Sequence, residues 1–71
     1  MASARALMRV RGMDTAEGRQ QVIDTLKAVP GVMTVTPADA EQVNVEYDST
    51  EVTVMDLIRA LRRIGFLAGM E

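Results

Sequence analysis

The segment 13–17 contains the side chains best suited to bind a metal ion. Asp14 and Glu17 could offer carboxylate oxygens to a hard cation, and the Met13 thioether could offer sulfur to a soft one. Two carboxylates are far fewer than the roughly six to eight oxygens that Ca²⁺ takes, and one thioether alone makes a weak site. Acids also stabilise the positive end of a helix. We favour that capping role for Asp14 and Glu17, and keep all three residues as candidate metal ligands.

Cysteine and histidine are absent from all 71 residues. The chain therefore has neither a thiolate nor an imidazole, which excludes most soft-metal chemistry and the usual nucleophile and base pairs of enzymes. A chain of this length buries only about 60% of its unfolded surface, so it has little volume for an enclosed active site. We predict a non-catalytic binding or interaction module without a cofactor.

Composition narrows the class of partner. The chain is 48% hydrophobic and 25% charged, as expected for a folded globular domain. Its net charge of -2 and its two aromatic residues, Tyr47 and Phe66, argue against nucleic-acid binding, which favours basic surfaces with stacking rings. Uninterrupted apolar runs are only a few residues long, too short for membrane insertion. We expect a cytoplasmic protein, or a cytosolic domain of a larger one.

The first half of the chain reads as a strand, a helix and a second strand. Arginines alternate with apolar residues over 4–11, which is typical of a half-buried strand in which Leu7 interrupts the polar side. Residues 14–17 then supply an N-cap with an acid at N3, a capping box that opens a helix from about 15 to 28. The pair Pro30-Gly31 ends that helix. The β-branched run 32–36 predicts a strand that Pro37 closes.

The second half repeats the strand and helix pattern. A turn over 37–40 leads to a strand over 42–47, where polar and apolar residues alternate strictly. Thr53, with Asp56 three residues later, predicts the capped start of a second helix that ends near Gly65. Residues 66–70 form a last short strand. The order βαββαβ in a single domain, residues 1–71, predicts an α+β, ferredoxin-like fold: a four-stranded antiparallel sheet with two helices on one face.

This topology places the first and third strands side by side at the centre of the sheet. Arg9 and Arg11 would then share the open face with Asn44 and Glu46, where cross-strand charge pairs contribute a few tenths of a kcal/mol. Leu7 would be exposed on the same face. With two edge strands, that leaves room for a homodimer without requiring one.

Four short motifs resemble those of a known family, in the same order and at the same spacing. They are Met8-x-Val10-x-Gly12-Met13, Val29-Pro30-Gly31-Val32-x-x-Val35, Val43-x-Val45-x-Tyr47-Asp48 and Leu57-x-x-Ala60-Leu61-x-x-x-Gly65-Phe66. No single motif is specific, but together they span nearly the whole chain. They resemble the heavy-metal-associated domains of copper chaperones and of the N-terminal extensions of metal-transporting P-type ATPases. The resemblance implies the same ferredoxin-like fold.

In that family, the Gly-Met pair is followed by a Cys-x-x-Cys loop whose two thiolates bind a soft metal ion. The matching positions here are Thr15 and Gly18. A hydroxyl and a hydrogen cannot replace two thiolates, because soft ions select sulfur ligands. The resemblance also implies that Met13 packs inward beneath the loop. It therefore points to a member of the family that has lost its metal site.

Charge is segregated along the chain. Arg19 could form a basic patch with Arg59, Arg62 and Arg63, although we favour a solvated helix face for these residues. Residues 39–51 carry five acids and no base, which suits an oriented partner, self-assembly or plain solubility. The family implies docking through complementary charge around the loop. The partner-binding candidates are Asp14, Thr15, Glu17, Gly18, Arg19, Arg62, Arg63 and Phe66.

Three functions remain open. The leading hypothesis is a protein-interaction or regulatory module with a metal-chaperone-like fold and no metal, whose partner is another protein or a larger parent chain. The alternative is a metal-binding or metal-transfer domain that uses Met13, Asp14 and Glu17, or ligands shared across a dimer. A small-molecule regulatory domain is the third, because a ferredoxin-like fold hosts many unrelated functions.

Overall fold

The computed structural model describes residues 2–70, which form six elements in the predicted order. Neither helix in this part of the chain is long and apolar enough to cross a membrane. The elements are β1 (Ser3–Arg11), α1 (Ala16–Lys27), β2 (Val32–Asp39), β3 (Gln42–Asp48), α2 (Val54–Arg63) and β4 (Leu67–Met70).

The four strands form one antiparallel sheet in the order β2-β3-β1-β4. The β1–β3 register runs from the pair Ser3 and Asp48 to the pair Arg9 and Gln42. The predicted central position of the first and third strands is therefore confirmed, and so is the ferredoxin-like α+β class.

The core lies between the sheet and the two helices. Every second residue of β1 from position 6 is buried, and β3 buries its residues 43, 45 and 47. Both helices pack against these side chains, α1 through Val22 and Leu26 and α2 through Leu57 and Leu61. Burying one such aliphatic side chain stabilises the fold by about 1.5–3 kcal/mol. Because all these residues belong to one cluster, the helices cover one face of the sheet and the other face is open.

The structure corrects three local predictions. Pro37 does not close β2, which continues to Asp39 with irregular register on both sides of the proline. β2 is an edge strand, and an edge tolerates a residue that cannot donate a ladder hydrogen bond. Leu7 is half-buried rather than exposed. Phe66 precedes β4, which begins one residue later.

Candidate functional site

The loop 12–15 connects β1 to α1. The two positions that match the family's metal ligands are Thr15, at the end of this loop, and Gly18, in the first turn of α1. Gly12 has φ +98, a left-handed conformation that side chains rarely adopt. The Phe66 ring lies directly against it: a Cβ built on Gly12 would be 3.2 Å from Phe66 Cδ1. The structure thus brings Phe66 together with the start of this loop.

Thr15 is the N-cap of α1. Its Oγ1 accepts a hydrogen bond of 3.0 Å from the Gly18 amide, and its carbonyl accepts one of 2.9 Å from the Arg19 amide. Gly18 is therefore at N3 and Glu17 at N2, so the capping box predicted over 14–17 is wrong. The cap falls one residue later than the sequence pattern indicated, since Thr15 has the extended backbone (φ -97, ψ 158) of a cap and its hydroxyl accepts the Gly18 amide.

Gly18 is buried and has space for nothing larger than hydrogen. A Cβ at this position would lie 2.5 Å from the Gly12 carbonyl oxygen, 3.0 Å from Thr15 Oγ1 and 3.4 Å from Met13 Cα. Two of these three contacts are with backbone, which cannot rotate away as a side chain can. The second of the family's two ligand positions is therefore filled by the loop's own backbone, and any side chain there would require the loop to move.

The three candidate metal ligands point to different environments. Met13 is fully buried in the core cluster, whereas Asp14 and Glu17 are exposed. Within residues 2–70, no three carboxylates approach closely enough to hold a metal ion. The Thr15 hydroxyl is engaged in the cap. The residues present thus do not fit a soft metal ion, which needs accessible sulfur ligands.

The basic candidates lie beside this loop and along α2. Arg19 follows Gly18 on α1 and is half-buried; its Nε is shielded from solvent and has no hydrogen-bond partner among the described residues. Arg62 and Arg63 are exposed in the last turn of α2. Arg63 also lines a groove of about 400 Å³ between the two helices, together with Asp56, Arg59, Ala60, Thr25 and residues 28–30. Arg63 therefore borders residues of the two helices and of segment 28–30 in this groove, not residues of the loop 12–15.

Asp48 is a buried carboxylate whose burial the sequence did not predict. Its Oδ1 accepts hydrogen bonds from Thr50 Oγ1 at 2.6 Å and from the Thr50 amide at 2.9 Å. These bonds, the hydroxyl's first, hold the pKa of Asp48 below its ordinary value. The Asp-x-Thr spacing is a turn signal that could have indicated this arrangement. Asp48 is the last residue of β3, and its bonds to Thr50 hold the turn that leads toward α2.

Comparison with known protein families and solved structures agrees with the fold described above. The sequence model described as the heavy-metal-associated domain matches residues 7–66. A search of curated protein sequences finds no significant match.

Solved structures resemble the chain over almost its whole length. MerP from Ralstonia metallidurans CH34, in its oxidised form, is 22% identical over 99% of each chain, with a TM-score of 0.92. The N-terminal domain of a potential copper-translocating P-type ATPase from Bacillus subtilis, in the Cu(I)-loaded state, is 28% identical over 96% of this chain and 86% of its own, with a TM-score of 0.87. The CopZ metallochaperone is 24% identical over 93% of this chain and all of its own, with a TM-score of 0.84. The chain belongs to the heavy-metal-associated domain family, as a member without cysteine.

Proposed function

We propose that this chain is a non-catalytic interaction module that docks onto a partner protein, or onto a larger parent chain, without handling a soft metal ion. It would act in the cytoplasm or as a cytosolic part of a larger protein. The observation that carries the proposal is the closed position 18, where a Cβ would lie 2.5 Å from the Gly12 carbonyl oxygen. Together with the absence of cysteine and histidine, it supports a loop without thiolate or imidazole ligands for a soft ion in a fold that is retained.

The docking surface that we propose is the end of the molecule around the start of α1 and the last turn of α2. Asp14 and Glu17 are exposed there, and Phe66 packs half-buried on Gly12. Arg62 and Arg63 add positive charge in the last turn of α2, where Arg63 also borders the groove between the helices. A surface that carries both signs of charge around an apolar contact can orient a partner, because a wrongly rotated partner meets like charge.

A titration with Cu(I) under reducing conditions, in competition with a chelator of known affinity, tests the metal half of the proposal. We expect no stoichiometric site of nanomolar affinity or tighter. Met13→Leu and Met33→Leu form a matched pair, because Met13 is buried at the loop and Met33 is exposed on β2. A tight site that disappears in Met13→Leu but survives in Met33→Leu would show that the loop binds metal, and would refute this half.

Site-specific cross-linking tests the docking half. A photoreactive amino acid placed at Glu17 should cross-link to a discrete partner in extracts of the source cells. The same group placed at Met55, which is 56% exposed on α2, should not give that product. Equal products from both positions, or none from position 17, would contradict docking through the loop.

A further inference from the structure

The open face of the sheet carries a row of arginines along its central strand. Arg5, Leu7, Arg9 and Arg11 alternate with the buried residues of β1 and so point away from the helices. The neighbouring strand places Glu46 beside Arg5, Asn44 beside Leu7 and Gln42 beside Arg9. Within residues 2–70 both helices pack on the opposite face, so this row is presented to solvent.

The charge of β1 is opposite to that of the chain. Three of the eight basic residues lie on it, in a protein whose net charge is -2. Glu46 is the acid at the centre of the open face. The two acids at its borders are turned to local backbone: the Asp39 carboxylate accepts a hydrogen bond of 2.8 Å from the Ala40 amide, and Asp48 is engaged with Thr50. The arginines of β1 therefore form a strip of positive charge, flanked by these three acids on β2 and β3.

Two shallow hollows lie on this face and contain the arginines. One has a volume of about 270 Å³ and is lined by Arg5, Thr34, Thr36, Asn44 and Glu46. The other, of about 250 Å³, is lined by Arg9, Arg11 and residues 67–69. Arg5 Nη2 lies 3.4 Å from Glu46 Oε2, but the Arg5 side chain is 76% exposed. Such an exposed ion pair is weak and can exchange for another carboxylate.

The spacing of the arginines matches an extended chain. Same-side residues of a strand repeat every second position, at about 7 Å, so Arg9 and Arg11 are about one repeat apart and Arg5 and Arg9 about two. An extended peptide has the same repeat along one side. Its acids at alternate positions could therefore meet successive guanidinium groups, which bind carboxylates through paired hydrogen bonds.

We propose that the open sheet face binds an extended acidic segment of a partner protein, independently of the loop surface described above. A second copy of this chain is a poor occupant, because two β1 strips facing each other would oppose arginine to arginine. Nucleic acid is disfavoured as well. The two aromatic residues that could stack bases lie elsewhere, Tyr47 in the core and Phe66 on Gly12.

Amide chemical-shift mapping during titration with a short peptide of alternating threonine and glutamate tests this proposal. We expect the shifts to concentrate on β1, β3 and the start of β4, and to weaken as salt is added. The same peptide with lysine in place of glutamate should give no shifts. An acidic peptide that binds nowhere, or that binds around α2 instead, would overturn the proposal.

Two double variants that remove equal charge separate a site from general attraction. Arg5→Gln with Arg11→Gln should weaken peptide binding about fivefold, the loss expected for two exposed charge pairs. Lys27→Gln with Arg59→Gln, both exposed on the helical side, should leave the Kd unchanged. Equal losses in both would reduce the interaction to net charge and refute a site. A short oligothymidine that binds the same face more tightly than the peptide would replace the acidic protein by nucleic acid as the partner.

The results of the peptide mapping and of the charge variants do not depend on whether the loop docks onto a partner. Loss of peptide binding in the open-face variant would leave the Glu17 cross-link intact if the loop docks as proposed, because Arg5 and Arg11 lie on the other face of the sheet. A failed cross-link with successful peptide mapping would remove loop docking and leave the open face as a binding surface.

Discussion

The two helices of this domain are both capped by threonine, but the two caps are built differently. At α2, Thr53 Oγ1 accepts a hydrogen bond from the Asp56 amide at 3.3 Å, while the Asp56 carboxylate accepts one from the Thr53 amide at 3.1 Å. This is a complete capping box. At α1, Thr15 accepts from the Gly18 amide, but glycine has no side chain to return the bond.

The two caps differ at position N3, which is Asp56 in α2 and Gly18 in α1. Asp56 is exposed and its side chain completes the cap, whereas a Cβ on Gly18 would collide with the Gly12 carbonyl oxygen. The start of α1 therefore gives up a second capping bond and accepts glycine, which is about 1 kcal/mol less favourable than alanine within a helix. Close packing of the loop onto the helix takes precedence at α1, and local capping at α2.

The largest effect is expected when the family's two sulfur ligands are restored at the start of α1. The variant Thr15→Cys/Gly18→Cys should bind Cu(I), because a structural thiolate site is worth about 10–16 kcal/mol for zinc, and even half of that exceeds the roughly 1–3 kcal/mol that overpacking costs. Without metal the variant should be less stable than the parent, and with Cu(I) more stable. Thermal unfolding with and without Cu(I) measures both effects.

Gly18→Cys alone is the control, because it carries the same steric change with a single thiolate. It should be destabilised without gaining a tight site. If the double variant were as stable as the parent without metal, position 18 would have more room than the structure shows.

The second prediction isolates the packing at Gly18. Gly18→Ala should lower the free energy of unfolding by about 1–3 kcal/mol, since the new methyl group meets backbone and the loss exceeds the gain in helix propensity of about 1 kcal/mol. Each kcal/mol lowers the Tm of a domain this small by about 4–8 °C. Gly69→Ala is the matched control. A Cβ there meets nothing within 4 Å, so its Tm should hardly change.

Sequence reasoning predicted the features that depend on periodicity and short motifs. The alternation along β1 and β3 and the stripe of Leu57 and Leu61 on α2 identify the core without reference to the remainder of the chain. The Thr53–Asp56 box was predicted because both partners are local and exposed. With the topology they imply, these patterns were sufficient for the fold.

The features that sequence reasoning missed depend on close approach in three dimensions. The distance from Gly18 to the Gly12 carbonyl follows from how the loop folds back, and the sequence alone shows only two glycines six positions apart. The cap at Thr15 instead of Asp14 has the same origin, since both residues are good caps and the loop geometry selects between them. The extent of β2 through Pro37 depends on the strand's lying at an edge, which topology decides.

The third prediction compares the two caps directly. Thr53→Ala removes the acceptor of a complete box and leaves the Asp56 amide without its partner, so it should cost about 1–2 kcal/mol. Thr15→Ala removes one capping bond and should cost about 0.5–1 kcal/mol. Urea unfolding of the two variants gives the difference. A larger loss for Thr15→Ala would mean that its hydroxyl also supports the loop that packs on Gly18.

The smallest effect concerns the turn that leads into α2. Because hydrogen bonds from Thr50 hold the pKa of Asp48 below its ordinary value, the charged carboxylate stabilises the fold at neutral pH, and this contribution is lost as pH falls through the folded pKa. Asp48→Asn should keep some of the Thr50 contacts but lose this dependence. The Tm difference between parent and variant should therefore shrink on acidification from neutral pH. Ser49→Ala is the control, because it changes the neighbouring residue without removing a carboxylate, and it should keep the parent's acid dependence. If the Tm difference between parent and Asp48→Asn stays constant with pH, the Thr50 bonds do not favour the ionised form.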